Sequence, residues 1–344
     1  MKTYSVLLII VLSFTTNIFS QVEFTTHITT PSAGATTDNA TYILTFDVDG
    51  DDDTDLVSSS FLDNKVAWYE NDGDQNFVQH TITTNAIGAS WLYATDMDGD
   101  KDVDVFSASV VDDKVAWYEN DGSGSFTTHV IESNANPVGW LRYSVSAYDV
   151  DSDGDMDALS GGWDNPTVRW HENDGSNKHF TTHVIDTLGQ RTHVIATNLD
   201  GDDDVDILAA SQFPNTVAWY ENDGSQNFTS HVISDSALSA RIVIATDLDK
   251  DDDMDVVAAL YANKVEWYEN DGNQNFTTHS ISSSPTNTNT IYVVDLDDDE
   301  DYDILTGTAE KNIIGWLEND GNENFTFHTI TSKAGDWPSS VWGG

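Results

Sequence analysis

The string Trp-Tyr-Glu-Asn-Asp-Gly starts at Trp68, Trp117, Trp219 and Trp267, with near copies at Trp170 (Trp-His-Glu-Asn-Asp-Gly) and Trp316 (Trp-Leu-Glu-Asn-Asp-Gly). Successive starts lie 49, 53, 49, 48 and 49 residues apart. Two further markers keep the same phase. An aspartate-rich stretch opens at Asp47, Asp96, Asp149, Asn198, Asp247 and Asp295, and a Phe-x-x-His string runs from Phe77 to His80, Phe126 to His129, Phe180 to His183, Phe228 to His231, Phe276 to His279 and Phe325 to His328. Each unit must be one supersecondary structure stacked on its neighbours, because no unit of this size buries its apolar faces alone.

The second unit reads as four short strands: Trp91 to Thr95, Val105 to Ser109, Lys114 to Glu119 and Phe126 to Ile131. In the third of them Val115 and Trp117 fall on one face and Ala116 and Tyr118 on the other, the period of a strand. Asn120-Asp121-Gly122 supplies a turn in which glycine takes a positive φ. No stretch carries a 3.6-residue apolar period. Four strands per roughly 50 residues is the pattern of a β-propeller blade. The expected fold is all-β, a propeller of six complete four-stranded blades. A lone fourth strand, Glu23 to Ile28, precedes the first unit, and Trp337 to Gly344 resembles a lone first strand after the last. Together they predict a seventh blade left incomplete at both termini. The favoured reading is a truncated product of a longer gene; the other is that six blades close alone.

Residues 1–20 read as a signal peptide. Lys2 is the only charge, Val6 to Leu12 is apolar, and Thr15, Thr16 and Asn17 lead to a small Ser20. Cleavage after Ser20 leaves residues 21–344 as a single secreted or cell-surface propeller domain. The apolar run is too short for a membrane anchor and no later one is longer, so membrane insertion is not expected. With no cysteine, disulfides, thiolate metal sites and a lipidated cysteine are excluded. Sixty acidic against 13 basic residues, a formal charge of −47, exclude nucleic acid and anionic membrane surfaces as partners.

The acidic residues are concentrated: 34 of the 60 lie in six nine-residue loops. The first is Asp47-Val-Asp49-Gly50-Asp51-Asp52-Asp53-Thr-Asp55, with carboxylates at positions 1, 3, 5, 7 and 9. Crowded like charges need a counter-ion. Calcium, which takes six to eight oxygens at about 2.3–2.6 Å, suits a tight loop of alternating oxygens better than magnesium, which prefers an octahedral site and keeps its water. Positions 1, 3, 5 and 9 are expected to supply side-chain oxygens and position 7 a backbone carbonyl. The expected ligands are Asp47, Asp49, Asp51 and Asp55; Asp96, Asp98, Asp100 and Asp104; Asp149, Asp151, Asp153 and Asp157; Asn198, Asp200, Asp202 and Asp206; Asp247, Asp249, Asp251 and Asp255; and Asp295, Asp297, Asp299 and Asp303. The opening resembles an EF-hand, but position 9 closes the site between strands, with no glutamate at position 12 and no helices. Gly50, Gly99 and Gly201 pre-shape position 4. The third loop has Ser152 there and Gly154 at position 6, the fifth has Lys250 and the sixth Asp298. Fit to calcium is expected to be best in loops 1 and 2, intermediate in 3 and 4, and poorest in 5 and 6.

The pattern Asp-x-Asp-Gly-Asp-x-Asp-x-Asp before an apolar strand resembles the FG-GAP/VCBS repeat family, whose blades bind calcium and are related to the integrin α-subunit propeller. The resemblance spans about Tyr42 to Ile330, without the Phe-Gly and Gly-Ala-Pro strings that name the family. It implies a binding and adhesion scaffold, sometimes fused to a carbohydrate-active enzyme.

The Phe-x-x-His histidines, His27 included, fall one per unit on outer strands, which favours packing over a shared metal. The repeated tryptophans read as core between blades, and the Glu-Asn-Asp-Gly turns as hairpin chemistry. Three of the four arginines, Arg142, Arg191 and Arg241, sit six or seven residues before an aspartate loop, near Trp91, Trp140, Tyr143 and His193. That places cations and aromatics around one mouth of the central channel. There Arg142, Arg191, Arg241, Trp91 and Trp140 form a candidate surface for an acidic polysaccharide, arginine for carboxylate or sulfate and an aromatic face for the sugar ring. The alternative is that the arginines neutralise acidic loops. No nucleophile elbow, zinc-protease string or phosphate loop is present. The leading function is a calcium-dependent binding or adhesion module for an extracellular glycan or surface protein. The rivals are a polysaccharide lyase or hydrolase working at the propeller mouth, and a non-catalytic spacer.

Overall fold

The computed structural model describes residues 8–11, 25–28, 39–74, 76–133, 142–162, 166–176, 179–261, 264–281, 288–308 and 313–332. Within these, six antiparallel four-stranded sheets follow one another along the chain, each with its strands in sequence order. Blades 1 to 6 span residues 40–83, 89–133, 142–187, 190–234, 240–281 and 288–331. Blade 2 is made of Ala89–Thr95, Asp104–Ser109, Lys114–Asn120 and Phe126–Ser133. Each of the four blade 2 strands read from the sequence is present and extends one or two residues further at an end.

Consecutive blades bury the faces they turn toward each other. On the third strand of blade 1, Trp68 joins Leu44, Val57 and Val66 against Leu92, Val105, Ala116 and Tyr118 of blade 2. The odd-even alternation of the sequence thus sorts residues into a following and a preceding interface. A tryptophan removes about 150–250 Å² from water. At about 25 cal/mol per Å² that is worth roughly 4–6 kcal/mol before the cost of ordering it. The fourth-strand histidines belong to this packing. Each stacks on the tryptophan of its own blade, with ring centroids 4.4–5.1 Å apart. Each also bonds through Nε2 to the glutamate of the Glu-Asn-Asp-Gly string at 2.5–2.7 Å. The histidines are cross-strand partners.

First strands line the axis. Trp91 of blade 2 packs against Tyr42 of blade 1 at 4.4 Å and reaches His193 of blade 4, a non-adjacent blade, at 4.8 Å. His193 is fully enclosed, and burial drives its pKa down to about 3. It is therefore neutral, and its Nδ1 accepts the Val243 amide at 3.3 Å. An aromatic plug from three blades fills the axis at this level.

The seventh, incomplete blade is not among the described residues. Thr25–Ile28 is a strand as read, but its partner is Leu8–Val11 in a separate two-stranded sheet. Trp337 to Gly344, Trp140 and the insertion around Asn134 to Gly139 lie outside the described residues.

Candidate metal centres

All six loops have one backbone form. Position 4 has a positive φ whether it holds glycine (Gly50, Gly99, Gly201) or Ser152, Lys250 or Asp298. Position 6 is left-handed as well, at Asp52, Lys101, Gly154, Asp203, Asp252 and Glu300. Two left-handed residues wind the chain so that odd-numbered side chains converge. Glycine at position 4 has a visible effect. In loops 1, 2 and 4 the position 4 amide donates to the position 1 side chain at 2.7–2.8 Å. In loops 3, 5 and 6 the position 5 amide donates instead, at 3.1–3.2 Å.

Position 9 holds the loop to its blade. Asp55, Asp104, Asp157, Asp206, Asp255 and Asp303 are almost completely buried. Oδ2 of each accepts the position 2 amide of its own loop at 2.9–3.1 Å. Oδ1 accepts the amide of the asparagine in the Glu-Asn-Asp-Gly string at 2.7–2.9 Å. Burial raises their pKa values to about 6 at Asp55, Asp206 and Asp255 and about 7 at Asp104, Asp157 and Asp303, despite those amides. Position 3 is raised by the same cause in all six loops, to about 6 at Asp249 and Asp297. Burial raises the cost of charge on these carboxylates, and a neighbouring positive charge would lower it.

The donor set fits a hard cation. In loops 1 to 3, positions 1, 3 and 9 place carboxylate oxygens within 4.8 Å of one another; in loops 5 and 6, positions 1, 3 and 5 do so. Oxygens bound to one calcium at about 2.3–2.6 Å lie no more than roughly 5 Å apart. The Oδ1 atoms of Asp49 and Asp297 are buried without a protein hydrogen-bond donor. Loop 4, with neutral Asn198, forms no such three-acid group among the described residues. Each of these five loops thus brings three of the four expected acid positions together, 1, 3 and 9 or 1, 3 and 5, and none brings all four.

Position 7 points elsewhere. A Cβ built on the turn glycines Gly73, Gly122, Gly175, Gly224, Gly272 and Gly321 would lie 2.3–2.7 Å from the side chain of position 7 in the same blade. That carboxylate sits over the turn, leaving only the backbone of position 7 for the loop centre. Gly122→Ala should cost about 2–3 kcal/mol, since its left-handed φ is joined by a collision that the Asp102 carboxylate must turn away to relieve. Gly99→Ala, left-handed but with open space around it, should cost about 1–2 kcal/mol. Urea midpoints of the two variants test the difference.

The asparagine of the Glu-Asn-Asp-Gly string was not legible as part of the site. Its Nδ2 donates to the position 8 carbonyl, as from Asn120 to Val103 at 3.3 Å. It also crosses to the preceding blade's loop, from Asn120 to Val48, Asn222 to Val150 and Asn270 to Leu199 at 2.8–3.4 Å. Its repetition in all six units was the available signal, absorbed there by the hairpin.

The arginines start first strands at the end of the propeller opposite the aspartate loops. Arg191 donates to Gln212 at 2.8 Å. Arg241 bonds to Asn289, and its guanidinium lies 4.6 Å from the ring centre of exposed Tyr261. Arg169, the fourth, pairs with Glu132 of blade 2 at 2.5 Å. Trp91 is 8 % exposed, a member of the axial plug with no free face for a sugar. Arg142 opens the first strand of blade 3, paired with Gly162.

An FG-GAP-like repeat model matches residues 47–107, 96–160, 149–209, 198–258 and 247–306, each window running from one aspartate loop past the next. The chain belongs to the FG-GAP-like repeat family. No curated protein matches the sequence. Among solved structures, the propeller is similar to a lectin of Agrocybe aegerita that recognises non-reducing terminal N-acetylglucosamine. That match has a TM-score of 0.64 and 18% identity over 92% of this chain and 87% of the lectin. A functionally unknown protein from Desulfotomaculum acetoxidans matches with a TM-score of 0.59 and 9% identity, over 87% of this chain and 88% of that one. The WD40 β-propeller domain of Doa1 matches with a TM-score of 0.58 and 12% identity, over 84% and 82%. At these identities the likenesses concern the fold alone.

Proposed function

We propose that this FG-GAP-like propeller is a secreted, calcium-dependent binding module whose ligand surface is the end opposite the aspartate loops. The observation that carries the calcium reading is the set of buried, converging carboxylates, above all the orphaned Oδ1 atoms of Asp49 and Asp297. Calcium supplies positive charge and a coordination shell; the chain's residues hold the loop shape. Positions 1, 3 and 9 hold it in loops 1 to 3 and positions 1, 3 and 5 in loops 5 and 6. Supporting the binding reading are the family's use as an adhesion scaffold and the lectin that shares the fold. Equilibrium dialysis with metal analysis should find five to six calcium ions per chain in millimolar calcium, with tenfold excess magnesium displacing few. Retention of fewer than two, or equal retention of magnesium, would overturn the calcium reading.

The ligand surface rests on Arg241, bonded to Asn289 and held over Tyr261, and on Arg191 of the preceding blade, bonded to Gln212. An acidic polysaccharide fits these groups, because the arginines are held in place before a carboxylate or sulfate arrives. The −47 charge opposes polyanions at long range, so binding is weak and strengthened by calcium. A glycan array with wild type and the Arg191→Ala/Arg241→Ala variant should show acidic glycans lost from the variant at unchanged melting temperature. Wild-type binding by the variant would remove the arginines from the site.

A further inference from the structure

Each aspartate loop closes on its own blade through the two buried bonds to position 9, and in part of the ring these closures are joined end to end. The amide of Asn120 donates to Oδ1 of Asp104, position 9 of loop 2, at 2.8 Å. Its Nδ2 donates to the carbonyl of Val48, position 2 of loop 1, at 2.8 Å. The Val48 amide in turn donates to Oδ2 of Asp55, position 9 of loop 1, at 2.9 Å. One asparagine thus ties the closing carboxylates of two neighbouring loops. The carbonyl it holds belongs to the peptide unit that leads into Asp49, the position 3 residue with an orphaned Oδ1. Asn120, Val48, Asp55 and Asp104 are all almost completely buried, so water cannot stand in for a lost partner at low cost.

The same arrangement runs through three blades further on. Asn222 joins Asp206 of loop 4 at 2.9 Å to Val150 of loop 3 at 3.3 Å, and the Val150 amide reaches Asp157 at 3.1 Å. Asn270 joins Asp255 of loop 5 at 2.8 Å to Leu199 of loop 4 at 3.4 Å, and the Leu199 amide reaches Asp206 at 2.9 Å. Asp206 accepts one segment on each oxygen, so an unbroken chain of buried hydrogen bonds passes from Asp157 through Asp206 to Asp255. The position 2 side chains reinforce it, since Val48, Val150 and Leu199 each pack in an apolar cluster shared with the following blade. Blade 6 differs. Asn319 bonds to Asp303 and Tyr302 of its own loop, and among the described residues it makes no bond to loop 5. Loops 5 and 6 are linked instead by Lys250 and Asp301 at 2.5 Å, an exposed pair of small energetic weight.

We propose that Asn120, Asn222 and Asn270 are positioning residues that make calcium binding in adjacent loops cooperative, loop 1 with loop 2 and loops 3, 4 and 5 in series. The proposal rests on the calcium reading above. An ion that fixes Asp47 and Asp49 holds the Val48 carbonyl in place for Asn120. Asn120 then holds Oδ1 of Asp104 in the position that closes loop 2. The coupling is reciprocal, so filling loop 2 tightens loop 1 by the same factor. Its sign is the opposite of the direct electrostatic effect, because cations in neighbouring loops repel and would compete. Loop 6, without the asparagine tie, loads independently of loop 5.

Hydrogen exchange of the full chain across a calcium titration reads each loop separately, because the amides of a loop gain protection as it fills. Asp49→Ala disables loop 1 and leaves every asparagine in place. It should raise the calcium midpoint of loop 2, residues 96–104, by about fivefold. Asn120→Ala should raise the midpoint of loop 1 by a similar factor, although it removes none of the expected ligands. Asp49→Ala added to Asn120→Ala should then move loop 2 no further. Asp297→Ala in loop 6 should shift loop 5 by less than about twofold. Should Asn120→Ala fail to fold, Asp49→Ala and Asp297→Ala decide the matter between them. A loop 2 midpoint that stays or falls when loop 1 is disabled overturns the coupling and leaves the calcium reading standing. So does an Asp49→Ala effect that persists without the Asn120 side chain, or an equal shift of loop 5 from Asp297→Ala. Absence of protection in every loop at millimolar calcium overturns both readings.

Discussion

Stripping divalent cations with EDTA at pH 7.5 should lower the melting temperature by on the order of 10 °C. A ligand at tenfold excess over its Kd adds roughly 1.4 kcal/mol per site, so six sites give roughly 8 kcal/mol, comparable to the net stability of a whole domain. For a chain of this size that corresponds to a shift on the order of 10 °C. The effect should grow with pH. The position 9 aspartates have folded pKa values of about 6 to 7, against an ordinary 3.8, because burial disfavours their charge. With the ion removed, the folded state therefore binds more protons than the unfolded state between pH 4 and 7. The stability this contributes is full below about pH 4 and is lost as pH rises through 6 to 7. The chelated protein should melt lower at pH 8 than at pH 5.5, and calcium, which displaces those protons, should raise the melting temperature more at pH 8. Scanning calorimetry at both pH values, with calcium and with EDTA, checks both statements. A melting temperature indifferent to EDTA would refute a structural role for the ions.

The blade was readable in the sequence because its two constraints are periodic. Alternation in Lys114 to Glu119 sorts Trp117 from Tyr118, and the Asp-Gly pair marks the turn; both depend only on neighbours in the chain. The odd-position register of the loops was readable for the same reason; the burial of Asp104 and the placing of the Asp102 carboxylate over the hairpin glycine were not. What was not readable depends on residues far apart in sequence. Asn120 reaches Val48, 72 residues away in an adjacent blade's loop, and nothing local separates that task from turn formation. Position 6 was singled out only at Gly154, because aspartate and lysine tolerate the left-handed conformation there without leaving a glycine behind. Trp91 was misplaced on a ligand surface because a first-strand aromatic near the channel mouth and one inside the channel have the same sequence address. Only the contact with His193, two blades on, distinguishes them.

Position 9 and position 1 should separate in a way that tells a structural carboxylate from a pure ligand. Asp104→Ala removes the acceptor for both the Met97 and the Asn120 amides in a buried setting. Each buried donor left unpaired costs about 1–3 kcal/mol, so a loss of about 3–5 kcal/mol is expected even before any ion is counted. Asp96→Ala removes acceptors for Gly99 and Lys101, whose amides lie in an exposed loop where water replaces the lost partner. Its cost should be about 1–2 kcal/mol, most of it through the ion. Asp295→Ala should cost less again, because loop 6 lacks a position 4 glycine and the short bond that glycine brings, and so binds the ion less well. The predicted order in calcium is Asp104, then Asp96, then Asp295. In EDTA the Asp104 penalty should persist while the other two shrink toward zero, since neither then has an ion to lose. Urea unfolding of the three variants with and without calcium reads this directly. Equal penalties for Asp104→Ala and Asp96→Ala in EDTA would mean that the buried hydrogen bonds of position 9 contribute nothing of their own. Equal penalties for Asp96→Ala and Asp295→Ala in calcium would mean that the position 4 glycine does not grade the loops.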